Sequence, residues 1–117
     1  MTEGDAWFRR NRKPDIAGTD QADKIIGLFK ELGWAPQKVL EIGCSNGVPL
    51  NRISEAFGCT CFGIDPSSEA IKDGRKQFPH LHLSEGSADH LPYDDAAFDT
   101  IVFGFCLYLC DRVDLFR

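Results

Sequence analysis

Apolar residues recur along this chain in two patterns that alternate with each other. Spacings of three and four residues predict three amphipathic helices, over about 21–33, 49–57 and 68–77. Short runs rich in β-branched and aromatic residues predict strands at about 37–42, 60–64, 81–85 and 99–105. Strands and helices that alternate with short connections are typical of an α/β fold with a doubly wound parallel sheet.

Polar caps and glycine stops agree with the helical spacing. Thr19 or Asp20 is placed to cap the first helix, and Gly33 is placed to end it. Ser67 or Ser68 is the expected cap of the third helix. Each of these two helices therefore has a boundary signal that supports its periodicity.

The chain divides into an N-terminal arm, residues 1–20, which shows no clear periodicity, and one domain, residues 21–117. The strand at 99–105 belongs near the centre of such a sheet, yet no later strand is predicted to pair with its free edge. Because an exposed apolar edge is a template for aggregation, we expect a domain that is incomplete at its C-terminus and truncated after strand four. The alternative expectation is a homodimer in which a second copy covers the open edge of strand four.

The charge balance is acidic, with a net charge of -5 and a pI near 5.0. An acidic chain lacks the basic face that nucleic-acid binding usually needs, and no apolar run reaches the roughly 20 residues that span a bilayer. We therefore expect neither a nucleic acid nor a membrane as a partner. The 5 cysteines form an odd set with no Cys-x-x-Cys pair, which indicates reduced thiols, a cytoplasmic location and no metal site.

The most informative segment is the junction at 38–50, where an apolar run ends in Glu41 and is followed by small residues. Gly43 and Gly47 permit positive φ and close approach of a ligand, and the N–H groups at the start of the next helix favour negative charge. Because open α/β sheets bind ligands at the carboxyl ends of their strands, the junction predicts a small-molecule site. Asp65 ends the neighbouring strand, where its carboxylate can accept hydrogen bonds from both hydroxyls of a ribose.

Three segments of the chain resemble the motifs of class I S-adenosylmethionine-dependent methyltransferases. Glu41-Ile42-Gly43-Cys44-Ser45-Asn46-Gly47 is similar to that family's acidic-x-Gly-x-Gly-x-Gly loop, and Phe62-Gly63-Ile64-Asp65-Pro66-Ser67 is similar to its second motif. Residues 86–93, leading into 97–102, resemble the segment before strand four in the branch that acts on small molecules. The resemblance covers about 38–110, most of the chain.

The resemblance implies a Rossmann-like fold, S-adenosylmethionine as cofactor, and methyl transfer to a small-molecule acceptor. It implies a set of cofactor-binding residues: Glu41, Gly43, Cys44, Ser45, Gly47, Asp65, Pro66, Ser67, Ala88, Asp89, Phe103 and Phe105. Within this set the loop residues would hold the methionine part, Asp65 the ribose, and Ala88 and Asp89 the adenine. No residue of the sequence stands out as a catalytic base.

Two positions depart from the family pattern. Ser45 stands where the family usually has a second glycine, so the loop must accept a small side chain there. Ser87 stands where many relatives carry an acidic residue, which leaves Asp89 as the expected adenine partner.

Three other functions share part of the pattern. The segment from Gly43 to Gly47 also fits Gly-x-Ser-x-Gly, the nucleophile elbow of α/β-hydrolases. A nicotinamide dehydrogenase would have the acidic residue at the next strand end, but it requires Gly-x-Gly-x-x-Gly, which the loop does not match. A methyltransferase-like module that binds a cofactor, or associates with itself, without catalysis is the remaining alternative.

Overall fold

The computed structural model describes residues 16–87, 97–104 and 106–110. Helices and strands alternate along them in the order α1 (Ile16–Leu32), β1 (Lys38–Ile42), α2 (Val48–Phe57), β2 (Thr60–Asp65), α3 (Ser68–Gln77), β3 (His82–Glu85), β4 (Thr100–Phe103) and β5 (Cys106–Cys110). The predicted helices and the four predicted strands all form, and most of their ends lie close to the predicted ones.

The start of α1 differs from the prediction. The helix begins at Ile16, so Thr19 and Asp20 lie inside it and do not cap it. Short polar residues are frequent both at caps and near helix N-termini, where the helix dipole favours an acidic side chain. Thr19 and Asp20 are therefore equally compatible with a cap position and with the first turns of the helix. Gly33 ends the helix as predicted, with a φ of 66° that glycine adopts without strain.

The strands form one sheet in the order β3-β2-β1-β4-β5. The pairs β1–β2, β1–β4 and β2–β3 are parallel, which confirms the predicted α/β fold. In this register Ile42 lies opposite both Ile64 and Phe103. The segments that follow β1, β2 and β4 therefore all leave the sheet on the side where the carboxyl ends of these strands lie, here called the carboxyl edge.

The expectation that strand four has an open edge is wrong. The chain turns after Gly104, and β5 pairs with β4 in antiparallel register, with Val102 opposite Leu109. In residues 106–110 leucine alternates with cysteine and tyrosine, a composition that suits a strand, and a hairpin needs only a very short connection. The homodimer proposed to cover this edge loses its structural reason, since the same chain already covers it.

Two apolar clusters lie on opposite faces of the sheet. All three helices contribute to the cluster on one face, which contains Ile25, Phe29, Leu50, Ile53 and Ile71 packed on Val39, Cys61, Leu83 and Val102. The cluster on the other face contains Leu40, Ile42, Ile64 and Ile101. Strand side chains alternate between the faces, as in any strand buried on both sides. The sheet is thus a rigid support for the loops at its edge.

A single carboxylate joins β1 to β4 at the amino ends of these strands, opposite their carboxyl ends, where the loops of the candidate site lie. Asp99 accepts hydrogen bonds from the backbone N–H groups of Gln37, at 2.8 Å, and Lys38, at 3.2 Å. The hydroxyl of Thr100 donates to the same carboxylate and accepts from the indole of Trp34 at 2.9 Å. These bonds fix the alignment of the two strands whose carboxyl ends border the candidate site.

Cys44, Cys59 and Cys61 are free thiols. In the part of the chain that the structure describes, no helix has both the length and the apolar character needed to cross a membrane.

Candidate functional site

The predicted site lies where β1 and β2 end beside each other. Residues 43–47, here called the glycine loop, connect β1 to α2, and Pro66 and Ser67 connect β2 to α3. Parallel pairing places Ile42 beside Ile64, one residue before Asp65. The structure therefore brings the two predicted motifs together at one edge of the sheet.

The glycine loop is held in a left-handed conformation at three of its five residues. Gly43, Ser45 and Gly47 have φ values of 79°, 52° and 90°. Gly43 and Cys44 both donate their backbone N–H groups to the carbonyl of Ile64, at 2.8 and 3.0 Å. The loop thus bends back over the end of β2, and the positive φ expected of Gly43 and Gly47 is confirmed.

Asp65 joins the two motifs directly. Its Oδ2 accepts a hydrogen bond from the backbone N–H of Ser45 at 2.8 Å, and its Oδ1 accepts one from Ser67 at 2.9 Å. The residue is only 7% exposed, yet it ends β2 at the edge where the loops meet. Ser67 in turn caps α3 by accepting from the backbone N–H of Ala70, so Asp65 also anchors the start of that helix.

Glu41 and Asp65 give the site a negative character. Both are buried. The pKa of the Cys44 thiol is raised mainly by the burial of the thiol itself, and the charges of Glu41 and Asp65 raise it further. The Cys44 side chain belongs to the apolar cluster beneath the helices, and it leaves no room for a side chain at Gly63. The thiol therefore faces the core, and a contact of Cys44 with a cofactor would have to come from its backbone.

Gly104 borders the loop from β4, and the sequence reasoning did not single it out. A Cβ at this position would overlap the carbonyl oxygen of Gly43 and lie 3.5 Å from Glu41 Oε2. The Gly104 N–H donates to the carbonyl of Ile42 at 2.8 Å. Glycine in a strand often marks such a close approach of two backbone segments, and that signal was present in the sequence.

The back of the glycine loop rests on β3 and α3. A Cβ at Gly47 would lie 3.0 Å from Leu81 Cδ1, so this glycine faces the core and its role is to allow the turn into α2. Asn46 donates its side-chain amide to Asp73 of α3 at 2.9 Å. Asp73 was not predicted, because nothing in local sequence relates two residues 27 positions apart.

The remaining predicted residues fall into two groups. Pro66 is exposed beside Asp65, and Phe103 is half-buried at the end of β4, on the same edge as the loop. Ala88, Asp89 and Phe105 lie outside the described residues. The assignments of these five residues to a cofactor stay predictions, as do those of the other seven predicted residues.

The hydrogen bonds of the loop determine which charge it favours. The N–H groups of Gly43, Cys44, Ser45 and Gly47 all donate to acceptors within the protein. These four N–H groups are therefore already paired within the protein, and the expectation for the N–H groups at the start of α2 stays a prediction. With two buried carboxylates beside it, the edge favours a neutral or cationic ligand over a phosphate.

Comparison with known proteins agrees with this geometry. Residues 39–117 match the family described as "Methyltransferase domain". The chain belongs to this family. The match covers more than half of the chain. It confirms the resemblance to class I S-adenosylmethionine-dependent methyltransferases at the level of the family.

Individual methyltransferases share part of their sequence with this chain. It is 28% identical over 94 residues to norajmaline N-methyltransferase of Rauvolfia serpentina, covering 75% of this chain and 32% of that protein. It is 29% identical over 73 residues to demethylmenaquinone methyltransferase of Chlorobaculum tepidum, covering 62% and 30%. The chain spans about a third of the length of these relatives.

A solved methyltransferase has the same fold. The structure of the plantazolicin methyltransferase BpumL, determined with a pentazolic desmethylPZN analog and SAH, matches with a TM-score of 0.64. Identity is 22%, and the match covers 80% of this chain and 37% of the other. The likeness shows that the sheet and helices form a Rossmann-like fold.

Proposed function

We propose that this chain binds S-adenosylmethionine across the ends of β1 and β2 and serves methyl transfer to a small-molecule acceptor. S-adenosylmethionine supplies an electrophilic methyl group on a sulfonium. The protein has to bind and orient this donor beside the acceptor and exclude water from it. A base on the protein is needed only when the acceptor must lose a proton.

The residues of the edge fit the parts of this cofactor. A ribose presents two adjacent hydroxyl donors, and the Asp65 carboxylate is an acceptor fixed in place by the N–H groups of Ser45 and Ser67. Glu41 and the carbonyl groups of the glycine loop suit the ammonium of the methionine part. Pro66 lies where an adenine ring would follow the ribose, and Phe103 lies on the side of β4.

The observation that carries the proposal is that four N–H groups of the glycine loop donate within the protein while Glu41 and Asp65 lie buried beside it. A dinucleotide site uses the N–H groups of such a loop to hold a pyrophosphate. S-adenosylmethionine carries no phosphate and bears positive charge, so it fits where NAD does not. The distinction between S-adenosylmethionine and NAD thus rests on charge and not on the spacing of the glycines in the loop.

The hydrolase alternative has no support at Ser45. Among the described residues, His80 hydrogen bonds to Asn51 at 2.7 Å and His82 stacks on Phe62. Neither of these two histidines hydrogen bonds to the Ser45 hydroxyl, as a nucleophile elbow would require.

The nature of the acceptor follows from charge and from the family. The names of the relatives include an N-methyltransferase and a demethylmenaquinone methyltransferase, both acting on small molecules by their names. The net charge of -5 also suits a small metabolite better than a nucleic acid. Reduced thiols at Cys44, Cys59 and Cys61 fit the proposed cytoplasmic location.

Calorimetric titration of the chain with S-adenosylhomocysteine tests the proposal, with NAD and free adenosine as comparison ligands. We expect saturable binding of S-adenosylhomocysteine, weaker binding of adenosine, and no heat from NAD. Binding of NAD in preference to S-adenosylhomocysteine, or no binding of either by the folded chain, would contradict the proposal.

A further inference from the structure

The middle of α3 packs directly against the back of the glycine loop. Gly74 is buried, and a Cβ there would overlap the carbonyl oxygen of Asn46 and lie 2.6 Å from Leu83 Cδ1. Side-chain atoms do not come that close to a backbone carbonyl without movement of one of them. The absence of a side chain at position 74 therefore allows the loop to lie where it does.

Asp73 adds a polar contact at the same place. Its Oδ2 accepts from the Asn46 side-chain amide at 2.9 Å and from Gln77 at 2.7 Å. Hydrogen bonds to an ionised carboxylate are stronger than those between neutral groups, and Asn46 is partly buried. Asn46 is thus held by its backbone against Gly74 and by its side chain on Asp73.

These contacts reach the proposed ribose acceptor through one residue. Ser45 precedes Asn46, and its backbone N–H donates to Asp65 Oδ2. A shift of Asn46 away from α3 pulls on Ser45 through the peptide bond that joins the two residues, and we expect the Ser45 N–H, on the other side of the Ser45 Cα, to move as well. The hydrogen bond that orients the Asp65 carboxylate then lengthens or breaks.

We propose that Gly74 and Asp73 are positioning residues of the cofactor site. They set the place of the glycine loop relative to Asp65, and so set the affinity for S-adenosylmethionine, by acting through Asn46 and Ser45. The inference rests on the proposed function for its cofactor. It assigns to the inner face of α3 a role that neither the family motifs nor the loop sequence contains.

The first test compares two helical glycines. Gly27 of α1 is exposed, and none of the described residues has an atom within 4 Å of an added Cβ, so Gly27→Ala is the matched control for Gly74→Ala. We expect Gly74→Ala to weaken S-adenosylhomocysteine binding about tenfold or more at a temperature where the variant is folded. Gly27→Ala should bind as the wild type does. Equal affinity of Gly74→Ala and wild type would overturn the proposal.

The second test separates the hydrogen bond from general effects on α3. Asp73→Ala should weaken binding, while Asp73→Asn should restore most of it because an amide oxygen can accept both hydrogen bonds. Lys76→Ala, on the exposed side of the same helix, is the control and should leave affinity unchanged. A merely structural contact would lower the melting temperature of Asp73→Ala without changing affinity in the folded protein, which contradicts the proposal.

A measurement without any cofactor keeps the two proposals apart. Amide hydrogen exchange at Ser45 should accelerate in Gly74→Ala, while exchange at Leu40 in β1 stays as in the wild type. Unchanged exchange at Ser45 would overturn the positioning role even if the cofactor binds. Absence of S-adenosylhomocysteine binding in the wild type, with accelerated exchange in the variant, would instead overturn the proposed function.

Discussion

The backbone N–H of Ser45 donates to Asp65 Oδ2 at 2.8 Å, joining two loops that are 20 residues apart in sequence. The same carboxylate receives the N–H of Ser67 on its other oxygen. Asp65 therefore organises both segments of the site, in addition to the role proposed for it as the ribose acceptor. Loss of the Asp65 carboxylate that accepts both bonds should affect both the conformation of the loop and the affinity for the cofactor.

Ser45→Gly should stabilise the chain. Ser45 has a φ of 52°, a left-handed conformation that costs a residue with a Cβ more than it costs glycine. Since glycine also loses more entropy on folding, we expect the free energy of unfolding to rise by no more than about 1 kcal/mol. Urea unfolding at equilibrium measures the change. A loss of stability would mean that the Ser45 hydroxyl makes a contact that outweighs the relieved strain.

Ser45→Ala separates the methyltransferase proposal from the hydrolase alternative. The backbone N–H that bonds to Asp65 is retained, so S-adenosylhomocysteine binding should stay within about threefold of the wild type. A hydrolase would depend on the hydroxyl and would lose all ester hydrolysis in this variant. The comparison is made by calorimetry and by a chromogenic ester assay on the same two proteins.

Gly104→Ala should be harmful although Gly104 is not among the predicted cofactor-binding residues. The added methyl group would overlap the Gly43 carbonyl oxygen, and we expect a loss of about 2 kcal/mol in the free energy of unfolding together with weaker cofactor binding. Gly86→Ala is the control, because among the described residues its added Cβ would meet only Ile64, at 4.0 Å. Equal free energies of unfolding for the two variants would contradict the prediction, because they would mean that β4 can move away from the loop at no cost.

The pKa of the Cys44 thiol is raised above its ordinary value of 9.0, first by burial and then by the charges of Glu41 and Asp65. The folded protein therefore keeps a proton that the unfolded chain loses, so this contribution to stability is complete below about pH 9 and declines as the pH rises above it. Urea unfolding between neutral pH and about pH 10 should show a steeper alkaline loss for the wild type than for Cys44→Ala. Parallel pH profiles would contradict the assigned burial of this thiol.

Labelling provides a second readout of the same thiol. At neutral pH, iodoacetamide followed by peptide mass analysis should leave Cys44 unmodified in the folded chain and modify it in urea. Cys59, which is partly exposed, is the internal comparison.

The sequence was sufficient for the features that depend on local pattern. The periodicities locate the helices and parallel strands, and the order of Glu41, Gly43 and Asp65 along the chain locates the edge where they meet. The start of α1 was missed because the signals for a cap and for an early helical residue overlap. These are errors of boundary, which local preferences determine only weakly.

The missed features depend on contacts between distant segments. Pairing of β5 with β4 requires a hairpin whose strand is recognisable only when its partner is known. Gly74 looks like an ordinary glycine in a helix, and Gly104 marks a close approach without naming its partner, so the contact of each with the glycine loop is known only from the structure. Asp73 likewise has no local motif that relates it to Asn46.

The central claim is that one carboxylate at the end of β2 binds the ribose of a nucleoside sulfonium. Glu85 ends β3 opposite Asp65 in the register and is exposed, so Asp65→Asn and Glu85→Gln form a matched pair of charge-removing changes. Titration with S-adenosylhomocysteine should show affinity about 100-fold weaker for Asp65→Asn and unchanged for Glu85→Gln. Wild-type affinity in a folded Asp65→Asn variant would contradict the account.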